Sequence, residues 1–355
     1  MNTEFSFRYV VDSIFADSAI NPVKILVLFI SMTVLSVFLD EVGFFRYLAN
    51  ATLKKSGQSQ KKLFVFLYVI VSVLTVFTSN DIIVLTFTPF ICYFASNAGI
   101  KPLPYLVTVF VAANTWSMAL IIGNPTNIYL ATYGGISFFD YLVKMILPTF
   151  AAGSVSFVLL YLCFKKDLAV PMKRLSGRSG HITDIVLLFI GLGHLVCATV
   201  LLAVGSWINI EMWFVALMSV SSLFLFNLLY ALVKRRKPYE LGRCLKRAPW
   251  TLVPFLLTMF VLILFLRSLG VPGFINGLLG KKFVVFKYGY SSFLSCNVIN
   301  NIPMSVLFCS VTETLPEALK GPALFATIIG SNIGAFLSPH YAGKCSNRSK
   351  KGADV

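Results

Sequence analysis

Long apolar runs broken by short polar clusters dominate the chain. Val23–Leu39, Leu63–Phe77, Ile82–Ala95, Tyr105–Ile122, Tyr141–Phe164, Ile182–Val204, Met212–Val233 and Trp250–Leu266 each read as a membrane-embedded helix, and Pro322–Leu337 is the last such run. The pattern predicts an all-α polytopic membrane protein. Its breaks are as informative as its runs: Ser79-Asn80-Asp81 and Gly123-Asn124-Pro125-Thr126-Asn127, with Asn114 and Ser117 between them, put polar sequence at membrane depth. Lipid cannot satisfy freed N–H and C=O groups, so irregular backbone survives there only when protein or a water-filled cavity surrounds it. A binding site is expected in this stretch.

Basic residues orient the runs. Of 30 Lys and Arg, 18 fall within residues 42–62, 99–103, 164–181 and 234–248, which the positive-inside rule assigns to the cytoplasm. Residues 1–22 are then external. The runs Leu63–Phe77 and Ile82–Ala95 have basic flanks at both outer ends, and arms of about 15 residues reach only ~22 Å against a core of roughly 30 Å. They predict a re-entrant hairpin over 62–98 with its polar tip near midplane, followed by a broken helix over 104–133. The second half repeats this order: a hairpin at about 288–311 with Asn300, Asn301 and Pro303 at its tip, then a helix from 322 broken at Gly330-Ser331-Asn332. The hairpins enter from opposite faces, the layout of two inverted-topology repeats. The first repeat covers 23–166, a cytoplasmic linker 167–181 and the second repeat 182–339. Lys281, Lys282 and Lys287 sit on the predicted outer side, against the charge rule.

Composition narrows the function. The 355 residues are 57% hydrophobic and 12% charged, with a mean hydropathy of +0.82, where a soluble domain carries roughly 25% charge. The net charge of +16 is the clustered positive-inside signature and not a nucleic-acid groove. The amino terminus shows no signal-peptide pattern. Seven cysteines form no C-x-x-C pair and read as small core residues, and His194 reads as a packing histidine. There is no P-loop, no paired-carboxylate motif and no metal-ligand spacing, so neither an enzyme, a cofactor nor a metal is expected. Energy is expected from an ion gradient or a partner ATPase. Asp81 is the one carboxylate expected near midplane, where insertion costs about 2.5–3.5 kcal/mol even on the mildest scale, and it is the candidate H+ or Na+ coupling site. Capping of the second hairpin arm is its structural role.

Several motifs resemble a known family. Leu39-Asp40-Glu41-Val42-Gly43-Phe44-Phe45, Ser79-Asn80-Asp81 with Thr88-Pro89, and Gly123-Asn124-Pro125-Thr126-Asn127 resemble the ion transporter superfamily, nearest the arsenite efflux permeases and NhaD-type antiporters with a citrate-transporter-like domain. Arg247-Ala248-Pro249-Trp250, Asn300-Asn301-Ile302-Pro303 and Gly330-Ser331-Asn332-Ile333-Gly334 extend the likeness to about Pro339. The resemblance implies a multi-pass protein of the plasma (inner) membrane, often a homodimer, working by an elevator-like movement. Carried onto this sequence it implies a solute and ion site of Ser79, Asn80, Asp81, Asn114, Gly123, Asn124, Thr126 and Asn127, with Ser117 beside them, and Asn300, Asn301, Pro303, Ser331 and Asn332 from the second half. The cargo implied is a small inorganic ion or oxyanion. A citrate or dicarboxylate transporter is the alternative, and a non-transporting remnant is a third reading, because residues 340–355 form a polar tail that departs from the family and suggests a frameshift.

Overall fold

The structure, a computed structural model, describes residues 12–14, 21–173 and 182–334. Most of the expected external segment, residues 174–181 of the linker and the whole polar tail lie outside the described residues. Among those described, every regular element is helical.

The first helix, α1 (Pro22–Glu41), begins where Asn21 Oδ1 accepts from the N–H groups of Val23 (2.9 Å) and Lys24 (3.1 Å), with Pro22 in its first turn. Fifteen of its 20 residues are buried, whereas α7 (Phe138–Phe164) buries only six of 27. A helix apolar all round and buried all round belongs at the centre; one apolar all round but exposed belongs against lipid. So α1 is the axis of the molecule and α7 part of its rim.

In the first half, α2 (Phe44–Ser56) leads into α3 (Gln60–Phe77) and α4 (Asn80–Ala98), which turn back on each other at Thr78–Ser79 and pack on α5 (Leu103–Trp116). The arms run 18 and 19 residues, longer than the apolar runs, because polar residues at their outer ends stay helical. Both feet of this pair meet one short piece of chain. Gln60 Nε2 donates to Val170 O (2.7 Å), Met172 N to Gln58 O (3.0 Å) and Lys173 N to Ala98 O (3.3 Å). The two feet therefore share one face of the molecule.

The second half consists of α8 (Ile185–Gly205), α9 (Met212–Val233), α10 (Tyr239–Arg247), α11 (Leu252–Ser268), α12 (Val271–Leu279), α13 (Val284–Ile299), α14 (Asn301–Glu313) and α15 (Glu317–Gly334). Helices α8, α9 and α10 pack on α1. Lys24 pairs with Glu211 (2.8 Å) at one end of α1, and Arg247 binds Asp40 (2.6 Å) and Glu41 (2.5 Å) at the other. Helix α11 leads away from the Arg247 end to Arg267, which pairs with Glu313 (2.6 Å). There the feet of the α13–α14 pair meet at Asn276, whose amide oxygen accepts from Tyr288 OH (3.0 Å) and whose amide nitrogen donates to the Thr314 hydroxyl. The α13–α14 feet thus lie one helix length, that of α11, away from the Arg247 end of α1.

Seven stretches among the described residues are long and apolar enough to cross a membrane: α1, α3, α4, α7, α8, α9, and α10 with α11 taken together. This is a polytopic all-α membrane protein. One expected feature is absent from the described helix: α15 runs without interruption through Gly330, Ser331 and Asn332 to Gly334. Ser331 Oγ and Asn332 Nδ2 both donate back to Ile328 O (2.9 Å each), which keeps these polar residues compatible with the helix.

Candidate functional site

The break in the first half comes earlier than the Gly-Asn-Pro sequence suggests. Helix α5 stops at Trp116, and two short 3-10 turns, Ser117–Ala119 and Ile121–Gly123, carry the chain to Asn124. There α6 (Pro125–Tyr133) starts, its first N–H groups capped by Asn124 Oδ1, which accepts from Thr126 N (3.0 Å). Between the turns Leu120 is extended, so the chain folds back on itself. At the closest approach, a Cβ on Gly123 would stand 2.3 Å from Ser117 O. Only glycine fits there.

The carbonyls freed by this break are taken up by side chains. Asn127 Nδ2 donates to Ser117 O (2.8 Å) and Leu120 O (3.2 Å), and Tyr141 OH on α7 donates to Met118 O (3.1 Å). All the residues involved are buried. Irregular backbone at membrane depth is thus satisfied by protein, as the bilayer requires.

Onto this break comes Asn332 of α15, 1% exposed. Its Nδ2 donates to Asn127 Oδ1 (2.9 Å), and its Oδ1 accepts from Asn124 Nδ2 (2.9 Å) and Ser117 Oγ (3.2 Å). Ser117 Oγ is also 2.7 Å from Asn114 O, so one hydroxyl proton is shared between two acceptors. Asn114 Oδ1 in turn accepts from Asn80 Nδ2 (3.2 Å) at the tip of the α3–α4 pair. A continuous hydrogen-bonded chain therefore runs from the first hairpin tip through the α5–α6 break to the last described helix. Close helix packing brings Asn332 in: α15 lies so near α13 that a Cβ on Gly330 would be 2.1 Å from Gly289 O.

The remaining candidates fall at different distances from this knot. Ser79, Thr126 and Ser331 are buried; the hydroxyls of Ser79 and Thr126, with that of Thr115, have no partner among the described residues. Asp81 alone in the first-half set keeps exposed surface, and its carboxylate has no hydrogen-bond or ion-pair partner among the described residues. Its place in the first turn of α4 suits a negative charge. In the second half Asn300 is exposed in a left-handed conformation (φ 70°), and Asn301 and Pro303 are half-buried at the start of α14; none of the three joins the knot. Their separation from Asn332 was not legible in spacing. Tyr141, which supports the break, and Thr115 were also missed, because a tyrosine and a threonine in apolar helices carry no local signal. Among the described residues no three His, Cys, Asp or Glu side chains gather as metal ligands.

Residues 10–330 match the family of citrate transporters designated CitMHS. The chain belongs to this family. Its relatives include the arsenical pump membrane protein of Escherichia coli, 26% identical over 333 residues that cover 88% of this chain and 74% of that protein. The arsenical pump membrane protein of Yersinia enterocolitica is 26% identical over 336 residues, covering 88% and 74%. A 46 kDa membrane protein of Mycobacterium leprae is 26% identical over 153 residues, 43% of this chain and 36% of its own. Family membership and the apolar helices make the chain a multi-pass membrane transporter of the secondary type. For a member of this family, the polar knot at membrane depth is the candidate solute site.

Proposed function

We propose that the chain moves a small inorganic solute, arsenite in the first instance, out of the cell in exchange for H+ or Na+ held at Asp81. The observation that carries this reading is the chemistry of the knot and its surroundings. Within both helix pairs and the helices that follow them, basic residues stand only toward the outer ends, at Lys61, Lys62, Lys101, Lys287 and Lys320, and residues 63–100, 102–143, 288–319 and 321–334 contain no Lys, Arg or His. Amides and hydroxyls suit a neutral trihydroxide such as arsenous acid, or a cation shedding its water. A polycarboxylate would need positive charge that these segments lack. The unpartnered hydroxyls of Ser79, Thr115 and Thr126 and the exchangeable amides of Asn124, Asn127 and Asn332 are the proposed solute contacts. Asn300, Asn301, Pro303 and Ser331 belong to the second-half arm of the site in an inverted-repeat arrangement, a reading supported by the separate tie at the feet of each helix pair.

The family description favours citrate as the second reading, with bound cations supplying the missing charge. The two separate in one experiment: arsenite accumulation is measured in cells lacking their own exporters, expressing this chain or its Asp81→Asn variant. Lower accumulation with the chain and normal accumulation with the variant support the proposal. Equal accumulation in both, with the protein present in the membrane, overturns it, and sodium-dependent uptake of labelled citrate in the same cells then establishes the alternative. Energising vesicles with a proton or sodium gradient, without ATP, tests the coupling ion against an ATPase partner, and the size of the purified protein tests the homodimer.

A further inference from the structure

We propose that a groove between α3 and α7 is a binding site for an anionic phospholipid of the cytoplasmic leaflet. The groove, about 390 Å³ in volume, is lined by Lys61, Lys62, Val65, Phe66, Phe157 and Tyr161. Its walls are the outward surface of two helices placed against lipid: Phe66 is exposed, Phe157 and Tyr161 are half-buried, and α7 is largely unburied along its length. An aromatic stack holds the floor in shape. The ring centroids of Phe64 and Tyr68 lie 5.9 and 5.0 Å from that of Phe157, and Tyr68 OH donates to Gly153 O (2.6 Å). The groove is therefore a fixed feature of the α3–α7 contact.

Charge tells which molecule fits it. Lys61 and Lys62 stand exposed in the first turn of α3, and Lys165 and Lys166 stand exposed at the end of α7, one turn beyond Tyr161. The two helices are antiparallel at this contact, since Phe64 pairs with Phe157 and Tyr161 while Tyr68 meets Gly153. The basic ends of the two helices, Lys61 and Lys62 on one and Lys165 and Lys166 on the other, thus lie at the same end of the contact. None of these lysines has an acidic partner among the described residues, although Lys101 nearby pairs with Asp167 (2.9 Å). A slot that is apolar below and fourfold cationic above complements a molecule with a hydrocarbon tail and a phosphate head. Membrane-facing basic pockets on the cytoplasmic side have this chemistry.

The test uses the full-length protein in a neutral detergent and follows its thermal unfolding with added phosphatidylglycerol, phosphatidylcholine or inorganic phosphate. The expected result is a rise in midpoint with phosphatidylglycerol alone. Removal of the four charges in a Lys61→Gln, Lys62→Gln, Lys165→Gln, Lys166→Gln variant abolishes that rise, and Lys234→Gln with Lys237→Gln, exposed cations of the α9–α10 turn that do not line the groove, leaves it intact. An equal rise in the fourfold variant, an equal rise with phosphatidylcholine, or a rise with phosphate alone overturns the proposal. If the fourfold variant fails to fold, Phe66→Glu, which puts a charge in the tail slot and leaves the lysines in place, is expected to remove the lipid effect, and its retention overturns the site.

Discussion

Asn332 concentrates the residue-scale physics of this protein. It is buried, its amide is fully paired, and three of its four partners belong to the first half of the chain, more than 200 residues earlier in sequence. Truncation to alanine strands the buried Asn124 and Asn127 amides, at about 1–3 kcal/mol for each buried group left unpaired. We expect Asn332→Ala to lower the thermal midpoint in detergent and to abolish transport. Asn332→Gln is expected to do nearly as much damage, since the added methylene displaces the amide from all three partners. A midpoint unchanged by either substitution would show that the knot does not hold these helices together. Asp81 behaves differently: its carboxylate has no partner among the described residues, so Asp81→Asn is expected to leave stability intact while ending coupled transport.

At the scale of the element, the end of α1 is fastened by α10. Arg247 reaches both Asp40, whose side chain is 3% exposed, and Glu41, 7% exposed, while itself remaining 39% exposed. The pair is too buried to be a solvent-screened surface bridge, yet Arg247 lies close enough to water to lower its cost of burial. Removing only this cation leaves Asp40 without a counter-charge and Glu41 with only its longer pair to Arg243 (3.6 Å). Arg247→Leu is expected to destabilise by about 1–3 kcal/mol after allowance for that exposure. Adding Asp40→Asn to it is expected to recover part of the loss. Denaturant unfolding of the two single variants and the double variant measures the coupling, and strict additivity would mean that Arg247 acts through packing instead.

For the whole molecule, the decisive feature is how each helix pair is tied at its feet. The α3–α4 feet both bind residues 170–173, and the α13–α14 feet both engage Asn276. Helix α11 runs from the Arg247 end of α1 to the second tie, and we propose that the two ties lie at opposite ends of the bundle. In a chain stripped of its native cysteines, a Gln58→Cys variant is expected to react with a membrane-impermeant maleimide only from the cytoplasmic side, and Thr314→Cys only from outside. Labelling of both from one side would contradict the inverted arrangement.

Sequence alone determined the class of protein and the location of its polar centre. The composition leaves no soluble alternative, and Asn80, Asn114, Ser117, Asn124 and Asn127 stood out because amides in apolar runs are costly without partners. The partners themselves were decided by tertiary structure. The family resemblance grouped Asn300, Asn301 and Asn332 as one half-site, but the fold delivers only Asn332 to the first-half break, because the near contact of Gly330 with Gly289 and the helix packing it permits fix where Asn332 sits. Spacing set the break at Gly123, whereas the helix stops at Trp116, since the freed carbonyls of Ser117, Met118 and Leu120 find Asn127 and Tyr141 only after the chain has folded back. A polar residue announces in sequence that it needs a partner; which partner it gets depends on distances that exist only once the helices have packed.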